Sequence, residues 1–168
     1  MEILIILEMP ILVALMVAVH AWTPENSKIL SRMALIFTTL LAGVTSANHF
    51  VILTVSHQPS FFNAEWTPMV LSFHWPSIAY ALDILAWDGF FPLAVLVAAP
   101  VFSGNRIAIW IRWLLVLSGM LALGGLSGVA INDMQFRNVG IVGYVGVFLV
   151  AAVLMAVLFL RSEAVTEP

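Results

Sequence analysis

Four titratable side chains stand within stretches that are otherwise oil: Glu8, His49, Asp83 and Asp88. A titratable group inside a bilayer is expensive unless it is paired, hydrated or neutralised, so by default its position marks a functional site. A carboxyl group in an apolar pocket can donate a proton, and a second carboxylate or an imidazole can accept one. Neighbouring aromatic faces can stabilise a developing positive charge. Glu8, His49, Asp83 and Asp88 are therefore read as catalytic residues, with Asp83 or Glu8 as the proton donor and His49 as the acceptor. Tyr80, Asp83 and Trp87 recur at i, i+3, i+7 and so line one stripe of a helix. On another segment Thr38, Ala42, Thr45 and His49 form a small, polar face, with Asn48 alongside. Asn48, Tyr80, Trp87, Thr45 and Trp75 are read as contacts to a substrate. At about 100° per residue, Asp88 points about 140° away from Asp83, so each aspartate is expected to need its own partner. Pro10 and Pro92 remove backbone hydrogen bonds near Glu8 and Asp88 and are expected to kink their helices there.

The surroundings of these residues set the fold class. The 168-residue chain is 62% hydrophobic and only 9% charged, with a mean hydropathy of +1.09. A soluble domain carries about 25% charged residues, so lipid is the expected solvent. Five segments approach or exceed the roughly 20 apolar residues needed to cross the hydrocarbon, at 3–22, 28–57, 77–103, 108–131 and 138–161. They predict an all-α integral membrane protein, a five-helix transmembrane bundle forming a single domain over 1–168. The first residues lack the basic region of a signal peptide, so 3–22 is read as a retained span. Between the second and third spans lies a segment without Lys or Arg that carries Phe61, Phe62, Trp66, Phe73 and Trp75. Such a segment is expected to lie along the membrane interface.

Counting along the helices places Glu8, His49 and Asp83 at one depth, each about 8 to 12 Å from the end of its span at about 1.5 Å per residue. Lys28, Arg32, Arg106, Arg112 and Arg161 flank one side of the bundle and Arg137 alone the other. The basic residues predict an N-terminus outside and a C-terminus in the cytoplasm. Asn132, Asp133 and Arg137 read as a solvated turn between the last two spans. Gly119, Gly124, Gly125 and Gly128 in the fourth span and Gly140, Gly143 and Gly146 in the fifth let helices approach closely. Their main expected use is packing within the chain, with a homo-oligomer seam as the alternative.

Composition also excludes classes of function. The chain has no cysteine, which removes disulfides and thiolate metal sites. No basic run suits nucleic acid, and no P-loop, dinucleotide-binding glycine pattern or nucleophile elbow is present. Glu8, His49 and Asp83 are of ligand type for a metal, but none of the usual ligand spacings supports one; no metal and no cofactor are expected. The residues point to acid–base catalysis of the isomerase or cyclase kind on a lipophilic small molecule, or to binding of one. A proton- or cation-coupled transporter and a non-catalytic accessory subunit are the alternatives.

Overall fold

The computed structural model describes residues 1–62 and 64–163. Asn63, residues 164–168 and the side chains of Phe62, Ser162 and Glu163 lie outside the described residues. Every regular element described is helical: α1 (Glu2–Trp22), α2 (Glu25–Val55), the short α3 (Pro59–Phe62) and α4 (Thr67–Leu71), then α5 (Ile78–Val101), α6 (Arg106–Ala130) and α7 (Met134–Arg161). Five of these, α1, α2, α5, α6 and α7, are long and apolar enough to cross a membrane. Their limits fall within a few residues of those expected from hydropathy alone.

Local chemistry explains several of the starts. The Ser77 hydroxyl accepts the backbone N–H of Tyr80 at 3.1 Å and begins α5. Asn105 Oδ1 accepts the N–H of Ala108 at 2.9 Å and begins α6. Asp133 Oδ1 accepts the N–H of Gln135 at 3.0 Å, so α7 starts with a tight turn at Met134. Each cap satisfies a donor that the helix itself leaves open. The early start of α7 matters, because it moves Arg137 from the expected turn into the helix.

The chain packs in sequence order, α1 on α2, α2 on α5, α5 on α6 and α6 on α7. Leu12, Met16, Leu41, Phe91, Val95, Ile111, Leu115 and Met155 form the buried apolar centre. At the end where α1 finishes, Trp22 stacks on Phe102 with ring centroids 5.5 Å apart and meets Phe159 at 5.9 Å. The first helix is thus tied to the third and fifth spans at that end. α1 runs unbroken through Pro10.

The glycines of α6 and α7 are used inside the chain. A Cβ at Gly143 would lie 2.7 Å from the carbonyl oxygen of Ser118, and one at Gly128 would lie 2.9 Å from that of Asp133. Ser118 Oγ donates to the Gly143 carbonyl at 2.9 Å, a hydrogen bond that only this close approach allows. Gly124 and Gly146, by contrast, sit on the exposed surface, and nothing lies within 4 Å of a Cβ at Gly146.

These two environments predict opposite outcomes for the same substitution. Gly143→Ala forces a methyl group against backbone and is expected to cost about 1–3 kcal/mol, the usual range for overpacking. Gly146→Ala removes helix-interior glycine without a clash and is expected to stabilise by up to about 1 kcal/mol. Denaturant unfolding of the purified chain in detergent, followed by circular dichroism, checks both.

Candidate functional site

A line of charged side chains crosses the bundle near the N-terminal end of α1. His49 Nδ1 meets Glu2 Oε2 in a short hydrogen bond. On the other edge of the same ring, Nε2 stands 3.9 Å from Asp83 Oδ1. Arg137 Nη2 donates to Asp83 Oδ2 at 2.6 Å, and its Nε donates to Asp88 Oδ2 at 2.9 Å. The guanidinium carbon also lies 4.6 Å from the ring centre of Tyr80, a cation–π contact. Among the described residues His49, Asp88 and Arg137 are the buried titratable side chains, and all three belong to this line. Four helices contribute to it, α1, α2, α5 and α7.

Asp83 and Asp88 share a single partner, against the expectation from the helical wheel. The reason is a change in helix type. Residues Leu85–Phe90 form a π-helical segment, in which the N–H of Phe91 bonds back to the carbonyl of Ala86. With i→i+5 bonding, residues five apart come round toward one face. The segment ends just before Pro92, whose missing N–H leaves the Asp88 carbonyl without its α-helical donor. A second π segment, Val142–Val147, lies in α7 and closes with the N–H of Phe148 on the carbonyl of Gly143. The two segments meet through Trp87 and Tyr144, with ring centroids 5.0 Å apart.

The seat of Asp88 is shaped by glycine. A Cβ at Gly140 would lie 2.4 Å from Asp88 Oδ1, and one at Gly125 would lie 2.6 Å away. Any other residue at either position collides with the carboxylate. Oδ1 has no hydrogen-bond partner among the described residues, so the charge of Asp88 is compensated through Oδ2 and Arg137.

Beside this line is a cavity of about 830 Å³. Glu2, His49, Asp83 and Arg137 form its polar end. Tyr80, Trp87 and Tyr144 provide aromatic wall, and Phe148, Leu12 and Leu15 apolar wall. Phe73, from the segment that follows α4, stacks on the His49 ring at 5.1 Å and roofs that end. Ile11 on α1 and Val145 and Leu149 on α7 line the same space, yet they are 68%, 61% and 62% exposed. They form the rim of an opening on the flank of the bundle, between the first and fifth spans.

Of the residues expected to act, Glu8, His49, Asp83, Tyr80 and Trp87 all line this cavity. Asp88 lies behind it, reached through Arg137. Asn48, Thr45 and Trp75 are not among the lining residues. Asn48 instead donates to the carbonyl of Ala79 at 2.9 Å and ties α2 to α5. Thr45 is fully buried, and its hydroxyl has no partner among the described residues. Trp75 Nε1 donates to Asn132 Oδ1 at 2.9 Å, which fastens the roof segment to the turn between α6 and α7.

The common layer differs in one member. Glu2, rather than Glu8, is level with His49, and Glu8 lies about 9 Å further along α1 at about 1.5 Å per residue. Counting from helix ends misplaced it because α2 is longer than α1 and overshoots its N-terminus. Arg137 is the other residue missed. The sequence alone places it in a solvated turn with Asn132 and Asp133, whereas it is 5% exposed and engaged by two aspartates. The Arg137, Gly140, Tyr144 spacing of i, i+3, i+7 is the signal that would have placed it on an inward stripe.

Among the described residues no three His, Asp or Glu side chains are arranged to hold a metal ion; the guanidinium occupies the centre between the carboxylates. No family model, no curated protein and no solved structure matches this chain.

If Arg137 is the keystone of the site, removing one partner strands a buried charge. Asp88→Ala is expected to cost about 3–5 kcal/mol, the range for breaking a buried pair from one side. Asp88→Asn keeps an acceptor for Nε and is expected to cost less. Equal unfolding midpoints for wild type and Asp88→Ala in detergent contradict this account.

Proposed function

We propose that this protein holds a lipophilic small molecule in the side-opening cavity and exchanges a proton with its polar end through His49. The observation that carries this reading is the placement of His49. It is 3% exposed, both ring nitrogens face carboxylate oxygens, and the ring lines the polar end of a largely apolar cavity. A ring protonated on both nitrogens donates to Glu2 and also faces Asp83; a neutral ring has one N–H to give. The ring therefore has two proton configurations, each with a partner in place, as a general acid–base group requires. Trp87 and Tyr144 line the space with aromatic rings suited to a developing cation. Proton transfer of this kind suits isomerisation or cyclisation of a lipophilic molecule. Asp83 accepts from Arg137, so its role is to orient and balance His49, and the donor expected of it passes to His49 with Glu2.

The proposed setting is a cell membrane, with the site at the outer end and the C-terminus cytoplasmic. Lys28, Arg32, Arg106, Arg112 and Arg161 lie toward the end opposite the site, and the one basic residue at the site end is buried in it. Basic residues remain on the cytoplasmic side. The aromatic residues of 59–62 and 64–76, a stretch without Lys or Arg, then lie in the outer interface above the cavity.

Purification in a mild detergent, extraction with organic solvent and mass spectrometry test the reading. A lipid-soluble molecule is expected from the wild type. Val145→Trp, which fills the rim of the opening, is expected to lower its yield by about tenfold, equivalent to about 1.4 kcal/mol of binding. His49→Gln is expected to retain the molecule and to lose any proton-transfer turnover. Equal extracts from wild type and Val145→Trp, or none from either, overturn the proposal.

A further inference from the structure

The cavity is unevenly charged, and the imbalance indicates what should fill it. Glu2, Glu8 and Asp83 line it and Asp88 lies just behind. Arg137 faces Asp83 and Asp88, and His49 faces Glu2 and Asp83. Glu8 makes no hydrogen bond or ion pair with any described residue. It lies on the cavity-facing stripe Ile5, Glu8, Leu12, Leu15 of α1, spaced 3, 4 and 3 residues apart. A carboxylate between isoleucine and leucine in an oily groove is costly without a counter-charge, and among the described residues none pairs with it.

We infer, building on the reading above, that the molecule held in this cavity is a lipophilic amine, its positive charge taken by Glu8 and by the ring faces of Trp87 and Tyr144. A cation gains from both, since an ammonium group is attracted to a carboxylate and to the face of an aromatic ring. An anionic head meets the opposite situation. The Arg137 guanidinium lines the cavity, but its Nε and Nη2 are already given to the two aspartates and its central carbon stands over the Tyr80 ring. A neutral head leaves Glu8 as it is.

The test compares three alkyl probes of equal chain length, differing only in the head: an alkyltrimethylammonium, the alcohol and the carboxylate. Each is titrated into the full chain in a neutral maltoside detergent, with tryptophan fluorescence and protection against thermal unfolding as readouts. The ammonium probe is expected to bind about tenfold more tightly than the alcohol, and the carboxylate more weakly than either. Glu8→Gln is expected to bring the ammonium down to the affinity of the alcohol without changing that of the alcohol, and Glu8→Asp to keep the preference. Glu8 is exposed and unpaired, so neither variant should disturb folding. An alcohol or carboxylate that binds as well as the ammonium, or a preference that survives Glu8→Gln, overturns the amine inference and leaves the cavity reading standing. Failure of all three probes to bind overturns both.

Discussion

A guanidinium held in the interior between two aspartates is the constraint on which the rest of this arrangement depends. Burying a charge is tolerated only when its partners and hydrogen bonds are in place, because the interior repays desolvation only through good geometry. Arg137 meets that demand by giving separate N–H groups to Asp83 and Asp88 and by lying on Tyr80. The consequence spreads outward. α5 and α7 must come close enough for a side chain to bridge them, and α6 and α7 must leave room for Asp88, which Gly125 and Gly140 do by having no side chain. Position 83 then presents its second oxygen toward His49, and through His49 the first helix is attached.

The two π-helical segments belong to the same solution. An α-helix cannot turn residues 83 and 88 toward one partner, since five residues at about 100° each leave them well apart. Widening the turn before Pro92 corrects that angle and sets Trp87 against Tyr144, which comes from the widened turn of the facing helix. Such local departures from α geometry concentrate at functional sites. Here the departure follows from charge pairing and an unsatisfied carbonyl, both traceable to named residues.

Much of this was legible in the amino-acid order. Hydropathy alone locates the five long helices, because a stretch such as Ile78–Val101 admits few charges and must be apolar along its length. The rarity of Glu8, His49 and Asp83 in such stretches identifies three of the cavity's polar residues. What was not legible depended on how helices slide and widen. Glu2 falls outside the 3–22 span that hydropathy marks, and only the longer reach of α2 shows that this end meets His49. Arg137 was passed over because hydropathy starts the last span at 138, whereas the Asp133 cap starts the helix at Met134. The pairing of the two aspartates was hidden by assuming one helical pitch throughout.

The position of the opening has a consequence for selectivity. Ile11, Val145 and Leu149 put the rim of the cavity on the flank of the bundle. In the proposed setting, an occupant has therefore left water before it meets the protein. The partition coefficient sets its local concentration, and each added methylene favours transfer into the membrane by about 0.8 kcal/mol whatever the protein does. Chain length thus contributes loading without discrimination, and the few polar atoms at one end of the cavity are left to decide between molecules that membranes take up equally well.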